Sequence, residues 1–66
     1  MYSFGQALSE NQHFYDHQEH QVPVQIYLNG EHVDIGFVTQ ITASYVRIND
    51  TFYHRSMYTF VSRPGY

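Results

Sequence analysis

The chain contains no cysteine and no lysine, and both absences limit what it can do. Without cysteine, its 66 residues can form neither a disulfide framework nor a thiolate zinc site. A domain of this length buries little apolar surface, so it needs a further source of stability. Association between copies is the source that remains. We therefore expect a homo-oligomer, either a dimer or a ring.

Positive charge is scarce along the whole chain. Three arginines stand against six acidic residues, and the formal net charge is -3. Proteins hold phosphate backbones mainly through Lys and Arg, so this composition predicts a poor general binder of nucleic acid. Any RNA contact would depend on Arg47, Arg55 and Arg63. RNA is therefore an alternative partner that the charge disfavours.

Long apolar runs and catalytic motifs are also missing. No run approaches the roughly 18 apolar residues of a membrane span, and "MYSFGQALSE" has neither region of a signal peptide. We expect a cytoplasmic protein with no membrane contact. The sequence holds no nucleophile elbow and no Gly-rich phosphate loop, and nothing orients the pair His54 and Ser56. These observations predict a protein that is not an enzyme and needs no cofactor.

Aromatic residues, in contrast, are abundant. They form 18% of the chain, with seven Tyr and five Phe, which is more than a core of this size can enclose. Tyr27, Tyr45, Tyr53 and Tyr58 alternate with apolar residues and are predicted to project outwards. Such rings can form a binding surface or ordinary cross-strand pairs, and both interpretations stay open.

Residues 1–21 differ from the rest in being rich in Gln, Glu, His and Asn. Two capping-box spacings predict a short helix within residues 5–16. On that helix Phe4, Leu8 and Tyr15 would share one face. The same composition also fits a flexible polar arm. In both interpretations we expect this segment to contribute little to the core.

Three histidines in this segment are spaced for one face of a helix. His13, His17 and His20 lie at i, i+4 and i+7, and imidazoles so placed can bind Zn²⁺. No second shell that would orient the rings can be identified in the sequence. The three residues are weak candidates, and no metal site is predicted.

From residue 22 onwards apolar residues alternate with others, as in strands that bury one face. Residues 22–28 form the first such run, and Asn29-Gly30 predicts a type I′ hairpin turn after it. In the second run Val33, Ile35 and Phe37 are predicted to face the core. The apolar phase then shifts at Gly36, where a glycine permits a sharp bend.

Three further strands follow, in "YVRIN", "TFYHR" and "MYTFVS". Asn49-Asp50 predicts a tight turn between the first two of them, and Pro64-Gly65 ends the sheet. The sequence thus predicts a mainly β protein: a small, strongly bent, five-stranded barrel of Sm-like or SH3-like type over residues 22–66. Residues 1–21 would form the polar arm or short helix before it.

The order of these features over residues 4–64 resembles the Sm superfamily, in particular the bacterial Hfq-like Sm proteins. The shared features are the short helix, Pro23-Val24 at the first strand, the Asn-Gly hairpin, a glycine in the bent strand and the segment "YHRSMYTFVSRP". The resemblance implies that the fourth strand of one subunit pairs with the fifth strand of the next. The interface residues predicted on these strands are Phe52, Met57, Tyr58 and Phe60.

The resemblance also implies binding residues. Tyr27 falls where the family carries an aromatic residue that stacks adenine-type bases, and Tyr53 opens the second motif. His54 and Arg55 replace the lysine and histidine that serve the family's uridine-rich RNA pocket. The candidate binding residues are Gln25, Tyr27, Tyr45, Arg47, Tyr53, His54 and Arg55.

Two functions follow from this sequence. The first is a non-catalytic Sm-like barrel that self-associates through edge strands and presents a Tyr-rich surface to a protein partner. The second is an Hfq-like RNA-binding protein that relies on aromatic stacking. Scarce positive charge favours the first function, whereas the aligned second motif favours the second.

Overall fold

The computed structural model describes residues 2–66. Over those residues the chain forms seven strands and one helix, and all strand pairs are antiparallel. The elements are β1 (Ala7–Leu8), α1 (Asn11–Glu19), β2 (Val24–Leu28), β3 (Glu31–Gly36), β4 (Val38–Ile41), β5 (Tyr45–Ile48), β6 (Thr51–His54) and β7 (Thr59–Ser62).

The strands form two separate sheets. The first sheet has the order β1-β7-β2-β3, and the second has the order β4-β5-β6. The prediction of a mainly β protein is confirmed. The finer prediction of a strongly bent, five-stranded barrel is not confirmed, because the predicted second strand is divided between the two sheets and a short strand near the N-terminus is added.

The chain passes from the first sheet to the second immediately after Gly36, where the sequence predicted a bend. Gly36 ends β3, and β4 begins at Val38. A Cβ atom at Gly36 would lie 2.5 Å from the side-chain oxygen of Asn49. The Asn49 amide occupies that space because it donates a hydrogen bond of 2.7 Å to the carbonyl of Ile35. Glycine is needed here for close packing.

Both predicted hairpin turns are confirmed. Asn29 and Gly30 between β2 and β3 have φ angles of 52° and 81°, and Asn49 and Asp50 between β5 and β6 have φ angles of 52° and 64°. Two consecutive positive φ angles define the type I′ turn, whose twist matches that of the strands. The local chemistry of these four residues therefore determines two strand pairings.

The face predicted for β3 is wrong. Val33 and Phe37 were expected in the core, but 43% and 44% of their surface is exposed, and Ile35 is only half-buried. Asp34, opposite the buried Ile26, takes the inward position instead. Its carboxylate accepts a hydrogen bond of 2.7 Å from the Tyr53 hydroxyl, so a polar contact replaces the expected apolar one.

The helix spans Asn11–Glu19, so it begins inside the predicted interval of residues 5–16 but ends beyond it. The ring nitrogen Nδ1 of His13 accepts hydrogen bonds from the backbone N–H groups of Ser9 and Glu10, which fixes the helix start. Leu8 consequently lies in β1. Among residues 2–66 no helix has the length and apolar character needed to cross a bilayer.

The N-terminal segment is part of the core, contrary to expectation. Leu8 and Phe14 are buried with the apolar residues of both sheets. The Phe14 ring packs edge-on against Phe60, with 5.2 Å between the ring centroids. Phe4 and Tyr15, predicted to share a helical face with Leu8, are exposed. The segment therefore fills the core through residues that the helical pattern did not identify.

Candidate protein-interaction surface

The outward side of the β5–β6 hairpin carries four of the residues selected from the sequence. Opposite residues on antiparallel strands lie on the same face. Val46 on this hairpin is buried, so its neighbours in sequence point outwards. Two opposite pairs result: Tyr45 with His54, and Arg47 with Phe52. We call Tyr45, Arg47, Phe52 and His54 the aromatic face.

The side chains of the aromatic face contact one another. Tyr45 packs edge-on against His54 and Phe52, with centroid distances of 4.9 and 6.2 Å. The Arg47 guanidinium lies 5.6 Å from the centroid of the Phe52 ring. Tyr45 and Phe52 remain 41% and 50% exposed. The cluster thus orders two large rings that are still accessible to a partner.

The charge of Arg47 is balanced locally. One of its terminal nitrogens lies 2.9 Å from the Asp50 carboxylate. Its Nε atom is shielded from solvent and has no hydrogen-bond partner within residues 2–66. The aromatic face consequently combines apolar rings with a neutralised cation, a composition typical of protein contacts.

The aromatic face borders a free strand edge, because β6 is outermost in the second sheet. In a two-residue hairpin, Ile48 and Thr51 form a hydrogen-bonded pair and the pairs then alternate. The bond from Arg55 N–H to the carbonyl of Ser44, 2.8 Å long, continues this alternation. The backbone groups of Phe52 and His54 therefore point away from β5. Within the described chain, no strand pairs with that edge.

The edge of β7 that the resemblance implied for ring assembly is covered. β7 lies between β1 and β2, so both its edges are paired within the same chain. The N–H of Gly5 donates to the carbonyl of Ser62, and the N–H of Ser62 donates to the carbonyl of Gln6, at 2.7 and 2.8 Å. Pairing of the fourth predicted strand with the fifth strand of another subunit would require this N-terminal segment to leave.

The four predicted interface residues occupy different environments. Phe52 and Met57 are exposed, and Tyr58 is half-buried beside the Tyr53 ring. Phe60, in contrast, is a core residue that packs against Phe14. The prediction that Phe60 lies in an interface is wrong for the folded chain, because its side chain is buried against the helix.

Gln25 and Tyr27 lie on the outer side of the first sheet, apart from the aromatic face. Arg63 connects them, since its Nε donates to the Gln25 side chain at 2.5 Å and a terminal nitrogen donates to the Tyr27 hydroxyl at 2.9 Å. The exposed Phe4 ring lies 4.7 Å from the Arg63 guanidinium. Gln25 and Tyr27 are therefore separated from the candidate residues Tyr45, Arg47 and His54, which lie on the other sheet.

Arg55 has a structural role. Its guanidinium donates hydrogen bonds to the side chain of Asn11, the carbonyl of Thr42 and the carbonyl of Ser9, at 2.6, 2.8 and 3.1 Å. It also lies 4.9 Å from the centroid of the Phe14 ring. These contacts join the helix start to the loop between β4 and β5, and they occupy the charge that RNA recognition would use.

Tyr53 was predicted to project outwards, and that prediction is wrong. Only 6% of its surface is exposed, because it lies opposite Val46 on the inward side of the hairpin. Burial and the adjacent Asp34 raise the pKa of Tyr53 to about 12. The Tyr53 hydrogen bond in turn lowers the pKa of Asp34. The pair connects the second sheet to β3. The Tyr53 ring is therefore not accessible for stacking on a base.

The three histidines proposed as weak metal candidates lie in different environments. His17 is fully buried, donates from Nδ1 to the carbonyl of His13 at 2.6 Å and accepts the Ser62 hydroxyl at Nε2 at 2.7 Å. Burial lowers the pKa of His17, in keeping with a neutral ring. His20 is exposed. Across residues 2–66, no group of three His, Cys, Asp or Glu residues is placed to hold a metal ion.

An open pocket of about 490 Å³ lies beside α1. It is lined by Tyr2, Asp16, His17, His20 and Val22. The Tyr2 hydroxyl donates to the Asp16 carboxylate at 2.6 Å, and this bond raises the pKa of Tyr2 to about 12 and lowers that of Asp16. The other oxygen of Asp16 accepts from the Gln12 amide at 2.8 Å. The polar groups of the pocket thus stabilise the N-terminal segment.

The chain matches no protein-family model, no curated protein and no solved structure. Its function has to be inferred from its own residues. The sequence analysis included all members of the aromatic face, but it assigned Phe52 to a separate interface. The turn at Asn49-Asp50 was the signal that could have united them, because it determines which residues lie opposite each other.

Proposed function

We propose that this chain is a non-catalytic interaction protein with an Sm-like strand order, which self-associates and binds protein through its aromatic face. The strand order supports an Sm-like relationship. A helix precedes β2, one bent strand is divided at Gly36 into β3 and β4, and β7 returns beside β2. The helix and the glycine in the bent strand are two of the features on which the resemblance rests.

The observation that carries the interaction proposal is the position of the aromatic face beside the free edge of β6. Two half-exposed rings, Tyr45 and Phe52, are fixed by contacts with their neighbours. Binding through them costs little side-chain entropy because the rings are already ordered. The adjacent strand edge can add backbone hydrogen bonds to the same contact. Aromatic surface and backbone donors together favour a protein partner.

The arginine contacts favour protein over RNA. Arg47 is paired with Asp50, Arg55 is bonded to three groups near the helix, and Arg63 is bonded to Gln25 and Tyr27. The sequence has no lysine, and its formal net charge is -3. RNA phosphates would have to compete with these internal contacts, and the counterion release that drives such binding would be small.

The Tyr45→Ser variant tests this proposal. Sedimentation equilibrium should show self-association of the unaltered chain over protein concentrations from about 10 μM to 1 mM, weakened at least tenfold by the substitution. Phe37→Ser is the matched control, since Phe37 is 44% exposed and lies outside the aromatic face. Equal association of both variants and the unaltered chain would exclude the aromatic face as the contact.

RNA binding is measured in parallel, with A-rich and U-rich oligonucleotides and fluorescence anisotropy. We expect no binding tighter than micromolar at physiological salt. Tight capture of A-rich RNA that is lost in Tyr27→Ala would replace the proposed function with the RNA-binding alternative.

A further inference from the structure

We infer that the partner of the aromatic face is a second copy of this chain, paired through β6 in antiparallel orientation with Phe52 opposite Phe52 of the partner subunit. The pairing would join two three-stranded sheets into one six-stranded sheet around a twofold axis perpendicular to it. This inference rests on the proposed function and specifies its partner and register.

Among the outer strands, β6 is the one that is suited to pairing. The register of β6 with β5 runs without a bulge from Thr51 to His54, and the segment contains no Pro or Lys. Native proteins protect free strand edges with bulges, prolines and lysines, and β6 has none of these. The aromatic Phe52 at the centre of this edge makes its exposure costly for a monomer in water.

The outer strands β3 and β4 are protected. A register shift interrupts β3 opposite Ile26 and Tyr27, and the Asn49 amide occupies the carbonyl of Ile35 near its end. A second shift interrupts β4, where the Gln18 side chain donates to the carbonyl of Thr39 at 3.1 Å. The remaining outer strand, β1, has two residues. These features leave β6 as the regular free edge.

Symmetry and backbone polarity together determine the register. A twofold axis perpendicular to the sheet places residues of like orientation opposite each other, so one residue of β6 lies opposite its own copy. The two central residues of β6, Phe52 and Tyr53, give the longest pairing. The carbonyl of His54 already accepts the N–H groups of Met57 and Tyr58, at 3.0 and 3.2 Å. A register centred on Tyr53 needs that carbonyl for its central hydrogen bonds, whereas a register centred on Phe52 needs it only for the outer pair with Asp50 of the partner subunit. A register centred on Phe52 uses the N–H and carbonyl of Phe52 from both copies.

In the register centred on Phe52, side chains of the two copies also complement each other. His54 would lie beside Asp50 of the partner subunit, and symmetry repeats the contact. The backbone N–H of Ser56 donates to Nδ1 of His54 at 3.3 Å, so the neutral ring carries its proton on Nε2. Asp50 is highly exposed, and the Arg47 contact uses one of its oxygens. The imidazole donor and the carboxylate acceptor are thus placed to meet.

Cysteine cross-linking tests the pairing, because the natural chain contains no Cys. In the inferred register the Cα atoms of the two Phe52 residues would be about 5.5 Å apart, within the range that a disulfide spans. The full-length variants Phe52→Cys and His54→Cys are mixed and oxidised with diamide, and the products are identified by mass spectrometry. Gln40→Cys, an exposed position on β4, is the control for random collision.

We expect homodimers of Phe52→Cys, at least tenfold faster than those of the Gln40→Cys control, and few mixed dimers. Mixed dimers of the two variants would instead support the register centred on Tyr53 and overturn the inferred one. Cross-linking of both variants at the control rate would overturn β6 pairing itself. The proposed function would survive that result if Tyr45→Ser still weakened self-association, and it would fail if Tyr45→Ser had no effect.

Discussion

Shortening Phe14 is the most direct test of how the N-terminal segment contributes to stability. Phe14 is buried on α1, packs edge-on against Phe60 and lies under the Arg55 guanidinium. Replacing a buried Phe by Ala costs about 3–5 kcal/mol, including the cavity that remains. A domain of this size has a total stability of roughly 3–10 kcal/mol. Phe14→Ala should therefore leave much of the protein unfolded.

Phe14→Leu gives a measurable intermediate. It keeps an apolar side chain but loses the edge-on contact with Phe60 and the cation–π contact with Arg55, which we expect to cost about 1–2 kcal/mol. For a domain of about this length, each kcal/mol corresponds to roughly 4–8 °C in Tm. Urea unfolding followed by circular dichroism gives the free energy directly.

Tyr15→Ala on the same helix is the control, because Tyr15 is 49% exposed and Ala favours helix. We expect its stability to stay within about 0.5 kcal/mol of the unaltered chain. If Phe14→Ala proved as stable as Tyr15→Ala, the N-terminal segment would not be part of the core, and the packing argument would be refuted.

Gly36→Val should destabilise the fold by about 1–3 kcal/mol, since its Cβ would displace the Asn49 amide; an unchanged urea midpoint would contradict this. Burial depresses the folded pKa of His17 below its unfolded value of 6.5, so its contribution to stability is present above pH 6.5 and lost as pH falls through the folded pKa. Urea midpoints that stay constant from pH 7.5 to about 4.5 would refute that linkage. Tyr53→Phe removes the donor to Asp34 and should cost about 1–2 kcal/mol, with the Asp34 pKa moving upwards in carboxylate NMR titrations; a fixed pKa would exclude the hydrogen bond as its cause.

Sequence reasoning succeeded where structure depends on neighbouring residues. The turns at Asn29-Gly30 and Asn49-Asp50 and the change of direction at Gly36 follow from the φ preferences and the size of single residues. These local signals predicted most of the strands after residue 22.

Sequence reasoning failed where a distant residue decides which face is buried. The alternation in β3 was real, but Asp34 instead of Ile35 faces inwards, because Tyr53 on another strand supplies a hydrogen bond. Periodicity cannot identify a partner so far along the chain. For the same reason Tyr53 was assigned to the surface, and the contribution of Phe14 to the core was missed.

The sequence analysis identified the residues of the candidate site but not how they are arranged in space. Tyr45, Arg47 and His54 lie together, whereas Tyr27, which the sequence analysis included among the same candidate binding residues, lies apart from them. Tyr27 belongs to the other sheet, where Arg63 engages its hydroxyl. The division into two sheets, which depends on packing over the whole chain, is what separates them.

The pairing of β1 with β7 joins the two ends of the described chain. During synthesis Leu8 emerges long before its partner Phe60, so this part of the first sheet can form only after β7 has been synthesised. Contacts of such long sequence separation slow folding, because a large loop must close before they stabilise it. Until the N-terminal segment docks, the edge of β7 that pairs with β1 is unpaired, and the apolar side of β2 is not covered by Leu8 and Phe14. The folding chain is therefore most exposed to unwanted strand pairing in the interval before its N-terminal segment docks.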